Sequence, residues 1–333
     1  MKKNIYVFLL ITCQVTFAVA QESDTMNYEL FKKRVVLFSD LGFNSAPFAI
    51  KDNYSLGVEK IKYRNNIKPT LGIGVSHKWF GIRIGLTLPL NILDENKFGN
   101  TNYFDVAVKV NIKKTFCNLS FRNYQGYAVK GAYKFNDSLN QDTPNAIMPL
   151  IHSTSLSANV WYFRDDSFKM QAFQGKTAHF TGESKTWYLK GSLNFFRVSN
   201  ESGTIIPTEL TDITDRKNAQ KIGAIDLGII PGYAYGNRMN NWQYGFFVGL
   251  GGVLQSKYYT KDGTTRSFLG LAPRVDFKIS GGYSQSNFFI LLISDFDIKS
   301  LKIQGMNYNQ TYYNVRIMSG FRLQTKKSRK RDS

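Results

Sequence analysis

Apolar side chains recur at every second position through most of this chain, and a period of two is typical of β-strands. Ile82, Ile84 and Leu86, for instance, alternate with Arg83 and Gly85. The same pattern returns in six further segments: 67–77, 104–112, 225–233, 242–254, 269–279 and 313–323. We therefore expect an all-β fold.

A helical membrane protein does not fit this sequence. A membrane-spanning helix needs roughly 18 or more consecutive apolar residues. After residue 20, the longest run of aliphatic or aromatic residues is the six of 288–293. Disorder is excluded as well, because 43% of the residues are hydrophobic and 15% are aromatic.

The polar face of the predicted strands distinguishes a membrane barrel from a soluble sandwich, since both alternate. In the seven clearest strands this face carries ten glycines and ten charged residues. A closed barrel has lipid outside and a narrow polar lumen inside, so small and charged residues suit its inner face. The pattern predicts an antiparallel transmembrane β-barrel, and a secreted β-sandwich is the alternative.

Aromatic residues concentrate near the ends of the predicted strands. Examples are the pairs Trp79-Phe80, Trp187-Tyr188 and Tyr312-Tyr313. Trp and Tyr rings prefer the headgroup level of a membrane, where the ring is buried and its polar edge is wet. The distribution therefore predicts one aromatic girdle at each membrane surface.

Residues 1–20 have the features of a secretory signal peptide. Two lysines precede an apolar stretch that ends in Ala18-Val19-Ala20, an A-x-A cleavage site. An uncleaved anchor and a lipoprotein modified at Cys13 are the alternatives. We expect cleavage, a periplasmic leader over residues 21–53 in which 34–38 can form a short strand, and location in the outer membrane of a Gram-negative bacterium.

The number of strands is constrained by parity. Thirteen candidate strands lie within residues 54–324, which we assign to the barrel, but single-chain bacterial barrels have an even number. The candidates 168–174 and 185–198 would both run outward. Either one of them does not span the membrane or a short strand at 178–180 restores the alternation. We predict 12 strands, with 14 as the alternative, followed by a basic tail at 325–333.

The connections between strands suggest an orientation. Short turns belong at the periplasmic end of such barrels and long loops at the outer end. The long polar connections are 91–102, 126–151, 199–220 and 256–267. The first candidate strand, 54–63, is expected to follow the leader directly.

Four short segments resemble an uncharacterised family of Gram-negative outer-membrane β-barrels, known only as a domain of unknown function. They are residues 61–66 (IKYRNN), 72–81 (GIGVSHKWFG), 103–105 (YFD) and 124–127 (YQGY). Arg64 stands where the family has a proline. The resemblance implies the fold and the location, and it implies no activity and no functional residue.

One stretch supports an enzymatic alternative. His152 and Thr154 lie two residues apart on one face of a predicted strand, and a histidine in that position can activate a hydroxyl group. The second residue is Thr rather than Ser, and no acidic residue nearby in sequence orients His152. A membrane-embedded lipid acyl hydrolase is thus kept only as the alternative function. We predict no catalytic residue, cofactor or metal site.

The predicted inner face has more basic than acidic residues. The seven basic residues are Lys68, Arg83, Lys109, Arg274, Lys278, Arg316 and Arg322, and the three acidic ones are Asp105, Asp226 and Asp276. Rings of Arg and Lys favour anions. The sequence thus predicts a basic lumen that attracts small anions, in either a narrow pore or a plugged barrel with a binding or structural role at the surface. The expected partners are outer-membrane lipid, lipopolysaccharide and the barrel assembly machinery, without nucleic acid, and the oligomeric state stays open.

Overall fold

The structure is a computed structural model that describes residues 26–90, 92–211 and 216–324. Its strands are β1 (Tyr28–Leu30), β2 (Arg34–Ser45), β3 (Phe48–Lys51), β4 (Lys60–Arg64), β5 (Pro69–His77), β6 (Phe80–Thr87), β7 (Asn102–Ile112), β8 (Thr115–Lys130), β9 (Asn145–Phe163), β10 (Ala178–Phe180), β11 (Ser184–Asn200), β12 (Lys221–Met239), β13 (Trp242–Lys261), β14 (Thr264–Ser284), β15 (Phe288–Ile303) and β16 (Met306–Gln324). Two short helices are α1 (Glu95–Phe98) and α2 (Met170–Phe173). The predicted signal peptide and basic tail lie outside the described residues.

Twelve of these strands form one closed antiparallel ring. Around the ring, the strands follow in the order β2, β5, β6, β7, β8, β9, β11, β12, β13, β14, β15 and β16. β16 pairs with β2, which closes the ring. The predicted barrel of 12 strands is confirmed. Because the sheet closes on itself, the alternative of a secreted β-sandwich is wrong.

Both ends of the described chain lie at one end of the barrel, where Arg34 pairs with Gln324. This end also carries the two-residue turns Lys78-Trp79 and Lys113-Lys114. Short turns face the periplasm in barrels of this kind. We therefore call this the periplasmic end and the opposite end the outer end.

The structure corrects the predicted periplasmic leader, residues 21–53. It contains β2, which pairs with β5 and β16 and is a full member of the barrel wall, and it also contains β3. The alternation is hidden at the start of β2, because Val35, Val36, Leu37 and Phe38 are apolar on both faces. The period of two therefore emerges only later in the strand.

Two other candidate strands are also corrected. Residues 54–63 reach only the short strand β4, which lies in a hairpin at the outer end. Residues 168–174 contain α2 rather than a strand, because Phe168, Met170 and Ala172 imitate a period of two inside a compact turn. The prediction of 12 already left out one of the candidates 168–174 and 185–198, and β2 takes the place of 54–63, so the total of 12 is unaffected. The short strand at 178–180 is β10, which lies outside the ring, so the alternative of 14 is wrong.

The barrel wall is apolar outside and polar inside. Leu227 is 62% exposed, whereas its neighbour Asp226 is completely buried inside the barrel. The same contrast holds between Ile73, at 61%, and Asp40, at 2%. An apolar outer face around a closed antiparallel ring is the property that lets such a barrel sit in lipid.

None of the helices within the described residues has the length and hydropathy required to cross a membrane.

The outer end is extended by two hairpins. The β3–β4 hairpin is inserted between β16 and β8. β13 and β14 remain paired up to the turn at Asp262-Gly263, where φ is 48° and 78°. The predicted long loop at 256–267 is therefore wrong, and Asp-Gly is a favoured pair for a two-residue turn of this kind.

A seam interrupts the wall between β14 and β15. These strands pair only from Ser284–Phe289 to Phe277–Phe296, so residues 264–276 and 297–303 do not pair with each other. Pro273 lies in the unpaired stretch and has no N–H to offer a neighbouring strand.

Side chains replace the missing ladder along this seam. Arg274, Gln255 and Lys257 donate to the carbonyl oxygens of Ile298 (2.5 Å), Ser300 (3.1 Å) and Lys302 (3.0 Å). These bonds satisfy backbone acceptors that an open sheet edge would leave unpaired. The outer half of β15 consequently packs over the lumen instead of against β14.

Candidate functional site

The periplasmic end of the lumen is filled by the connection between β9 and β11. We call residues 164–183 the plug. It contains α2 and β10, and β10 pairs with β1 in a separate two-stranded sheet. Phe168, Phe173 and Phe180 of the plug are buried against wall residues that include Phe247. Aromatic packing thus closes this end.

Polar side chains of the wall hold the plug by its backbone. Arg322 donates to the carbonyl oxygens of Lys176 at 2.7 Å and Gly175 at 2.6 Å. Gln243 donates to the carbonyl oxygen of Ala172 at 3.1 Å. Gly175 has φ +62°, and a Cβ there would collide with a wall leucine, so glycine is required at this contact.

His179 lies in the part of the plug that faces the periplasm. Its Nε2 is 2.9 Å from Oε2 of Glu29, and its ring contacts Phe31 edge to face. Burial lowers the pKa of His179 to about 3, and the positive charges of Arg238 and other nearby guanidinium groups act in the same direction. The carboxylate of Glu29 is half-exposed and screened by water, so its opposing effect is small. A neutral imidazole that donates from Nε2 satisfies this geometry.

The outer end of the lumen is closed by a second hydrophobic cluster, which we call the outer cluster. The rings of Phe48 and Tyr63 stack with centroids 4.2 Å apart. Tyr63 donates its hydroxyl to the carbonyl oxygen of Ile205, in the loop between β11 and β12, at 2.8 Å. Leu301 and Tyr308, from the β15–β16 hairpin, complete the same cluster. Strand extensions and a loop therefore cover the lumen together.

Between the two closures, the lumen contains a network of ion pairs. Arg83 donates to both carboxylate oxygens of Asp40 at 2.6 Å and to Asp105 at 2.5 Å. A Cβ at Gly72 or Gly85 would overlap these side chains. The glycines on the inner face of β5 and β6 thus make room for the buried guanidinium group.

A second group of charges surrounds Trp161. Asp276 accepts hydrogen bonds from Trp161 Nε1 at 2.9 Å, Tyr188 OH at 3.0 Å and Lys190 Nζ at 2.9 Å. Every oxygen of this buried carboxylate thereby has a donor. Such full satisfaction is what a buried charge needs in order to be tolerated.

Two more acidic residues pair with the basic side of the lumen. Asp226 accepts from Arg274 and from Gln255, the latter at 3.0 Å. Asp295 accepts from Lys278 at 2.8 Å and lies 3.5 Å from Arg316. Much of the basic excess predicted from sequence is therefore compensated inside the barrel.

Two small cavities remain in the centre. The plug-side cavity has a volume of about 70 Å³ and is lined by six basic residues, among them Lys109, Lys176 and Arg316, but by only two acidic ones. The outer cavity has a volume of about 50 Å³, and four basic residues there face three acidic ones. The positive excess is thus concentrated beside the plug.

The structure places all seven predicted basic residues inside the barrel, although not in one ring. Lys68 lies at the outer end and donates to Asn100 at 2.6 Å, and Arg322 lies beside the plug. The other five, Arg83, Lys109, Arg274, Lys278 and Arg316, lie between these levels and line one or both cavities.

Sequence reasoning missed several inward charges. They are the acidic residues Asp40, Asp295 and Asp297 and the basic residues Arg122, Lys176, Lys190 and Lys299. Asp295 and Asp297 alternate with the outward Phe296 and Ile298, so the period of two could have identified them. Lys176 lies in the plug, where no strand pattern indicates which way a side chain points.

The histidine considered for catalysis lies on the outer face of β9. His152 Nε2 is 3.5 Å from Oε1 of Glu201, an acidic neighbour that lies far away in sequence. Thr154 donates its hydroxyl to Asn123 at 2.9 Å rather than to His152. The base and the hydroxyl of the hydrolase alternative are therefore not hydrogen-bonded to each other.

No group of three or more His, Cys, Asp or Glu side chains within residues 26–90, 92–211 and 216–324 is arranged to hold a metal ion. Cys117, the described cysteine, is a free thiol on β8.

Comparison with known proteins identifies the family. The chain is similar to the outer membrane protease OmpT from Escherichia coli (7% identity, 89% of this chain and 98% of that one, TM-score 0.40) and to the P. putida toluene transporter TodX (7% identity, 88% and 91%, TM-score 0.29). It is also similar to the translocator domain of the autotransporter NalP from Neisseria meningitidis (8% identity, 87% and 88%, TM-score 0.29). No curated protein matches it. The family described as Domain of unknown function (DUF4421) matches residues 22–323, and this outer-membrane β-barrel belongs to that family.

Proposed function

We propose that this protein is a sealed outer-membrane barrel with a binding or structural role, rather than an open pore. The observation that supports this most is closure at both ends, by the plug and by the outer cluster. The cavities left between them, of about 70 and 50 Å³, have room for only a few water molecules each. The proposal includes no catalytic activity.

A second candidate is passage of small anions after the plug moves. It is favoured by the positive excess of the plug-side cavity, because cationic groups in a low-dielectric wall attract anions. The plug is continuous with β9 and β11, but its contacts inside the lumen are packing, hydrogen bonds and ion pairs, so it can swing out of the lumen while its two ends stay attached. The outer cluster would have to open as well.

Planar bilayer recordings separate the two candidates. Purified protein is reconstituted into lipid vesicles, its folding is checked by the mobility shift of the unboiled barrel and its insertion by flotation with the lipid, and the vesicles are fused with a planar bilayer that separates two salt concentrations. A sealed barrel conducts no steady current. A steady current whose reversal potential indicates a preference for chloride over potassium would favour the second candidate over the sealed barrel. Lys109→Glu should then weaken this preference. Potassium preference would contradict both.

A further inference from the structure

The plug carries a buried ammonium group that lacks an acceptor. Lys176 is 5% exposed, and its Nζ lies 3.5 Å from the centroid of the Phe38 ring. Among the residues that the structure describes, Nζ makes no hydrogen bond or ion pair. A buried charge without a partner is costly, so its surroundings need a negative charge.

Two further cations border the same cavity with incomplete partners. Among the described residues, Lys109 Nζ reaches only Gln174, at 3.4 Å, a neutral acceptor at the limit of a hydrogen bond. Arg316 has a buried Nε without a partner and lies 3.5 Å from Asp295 through Nη2. Three cationic side chains thus line this cavity with unused donors.

The nearby carboxylates are paired with other cations. Asp40 binds Arg83 through both oxygens at 2.6 Å, and Asp295 is closest to Lys278, at 2.8 Å. Asp105 binds Arg83 through Oδ2 at 2.5 Å, and its Oδ1 is buried without a hydrogen bond to any described residue, so water beside the anion has an acceptor there. Burial lowers the pKa of Lys176 well below its ordinary value, and the positive charges of Lys109 and Arg316 lower it further. A negative ligand in the cavity would oppose both effects.

We propose that the plug-side cavity binds a small inorganic anion of halide size, held by Lys109, Lys176 and Arg316. The volume of about 70 Å³ accommodates such an ion with some water. Since Lys176 belongs to the plug and the other two residues to the wall, the anion links the plug to the barrel. The site goes beyond the proposed function, because it does not depend on whether the lumen conducts.

Bromide is the direct probe for this site in the unmodified protein. Crystals grown with sodium bromide are measured at the bromine absorption edge, where the ion gives an anomalous signal. We expect a peak within hydrogen-bond distance of Lys176 Nζ. A data set with no peak in the cavity, or with peaks only on the protein surface, would overturn the proposal.

Thermal unfolding in detergent gives an independent test in solution. Bromide should raise the midpoint temperature of unfolding relative to gluconate at equal ionic strength. Lys176→Met should raise the half-saturating bromide concentration about tenfold or more, which is the loss of affinity expected for one charged hydrogen bond. Lys185→Met, which removes the same charge from an exposed position on β11, is the control. Equal midpoints in bromide and gluconate, or equal effects of the two substitutions, would contradict the site. If Lys176→Met does not fold, Lys109→Met provides the same comparison.

Discussion

Arg322 on the last strand donates from Nη2 to the carbonyl oxygen of Gly175 in the plug at 2.6 Å. The same guanidinium group donates to the carbonyl oxygen of Lys176. One wall residue therefore positions the plug segment that carries the buried ammonium group. The strand that closes the ring and the segment that fills it are coupled through this contact.

Loss of that contact should loosen the plug without dismantling the barrel. We expect Arg322→Gln to increase tryptic cleavage after Lys176 in the detergent-solubilised protein, because two hydrogen bonds to the plug backbone are lost. The unboiled barrel should still migrate as a folded species. Arg64→Gln, at an exposed position of β4, is the matched control, and cleavage that stays equal in both variants would show that Arg322 does not hold the plug.

Acid should destabilise the folded protein through His179. The folded state has a pKa of about 3 at this residue and the unfolded state about 6.5, so the unfolded state binds more protons between these values. The free energy of unfolding should therefore fall as the pH decreases from about 6.5 to 3. Carboxylates titrate in the same window, so the measured quantity is the difference between the unmodified protein and His179→Gln at pH 7 and pH 4.5. A difference that does not change with pH would refute the buried neutral histidine.

Substitution of Arg83 should lower the free energy of unfolding more than most other substitutions in the lumen. Arg83→Met leaves Asp40 and Asp105 buried without their main partner, which typically costs about 3–5 kcal/mol in the free energy of unfolding. The triple variant with Asp40→Asn and Asp105→Asn should recover most of this loss, because no unpaired charge remains. Urea unfolding in lipid vesicles measures both. A triple variant as unstable as the single one would mean that packing, rather than charge, explains the effect.

The position of the membrane on the outer face can be tested by placing arginine at two depths along one strand. Ile229 and Met239 point outward from β12 and are 60% and 66% exposed, but Ile229 lies near the middle and Met239 at the periplasmic turn. We expect Ile229→Arg to cost about 2–4 kcal/mol of unfolding free energy and Met239→Arg about 0–1. Equal costs, measured by the same urea unfolding, would contradict the placement of the membrane.

The alternation of side chains predicted the wall well, because one rule governs every strand that separates lipid from lumen. Leu227 and Asp226 illustrate it, since each lies on the face that a period of two assigns. The rule fails where both faces are apolar, as at the start of β2. There the inward Val36 packs against the inner hydrophobic residues beside the plug rather than against charged groups.

The contents of the lumen were much harder to predict. The plug has no period of its own, and Lys176 is positioned by contacts with Arg322 and Phe38, which are remote in sequence. The pairing of basic residues also depends on register across strands, as for Arg83 with Asp40. Composition indicates a positive excess, but only the folded barrel concentrates it in one cavity.

Sealing of the lumen is tested most directly from its centre. Ser120 lines both cavities, so Ser120→Cys in a Cys117→Ser background places one thiol midway between the plug and the outer cluster. The folded protein in vesicles is treated from each side with a charged methanethiosulfonate reagent, and Lys62→Cys, exposed on β4, serves as the accessible control. We predict that the cysteine at position 120 stays unlabelled while the control reacts completely. Labelling of position 120 from either side at a comparable rate would contradict a sealed barrel.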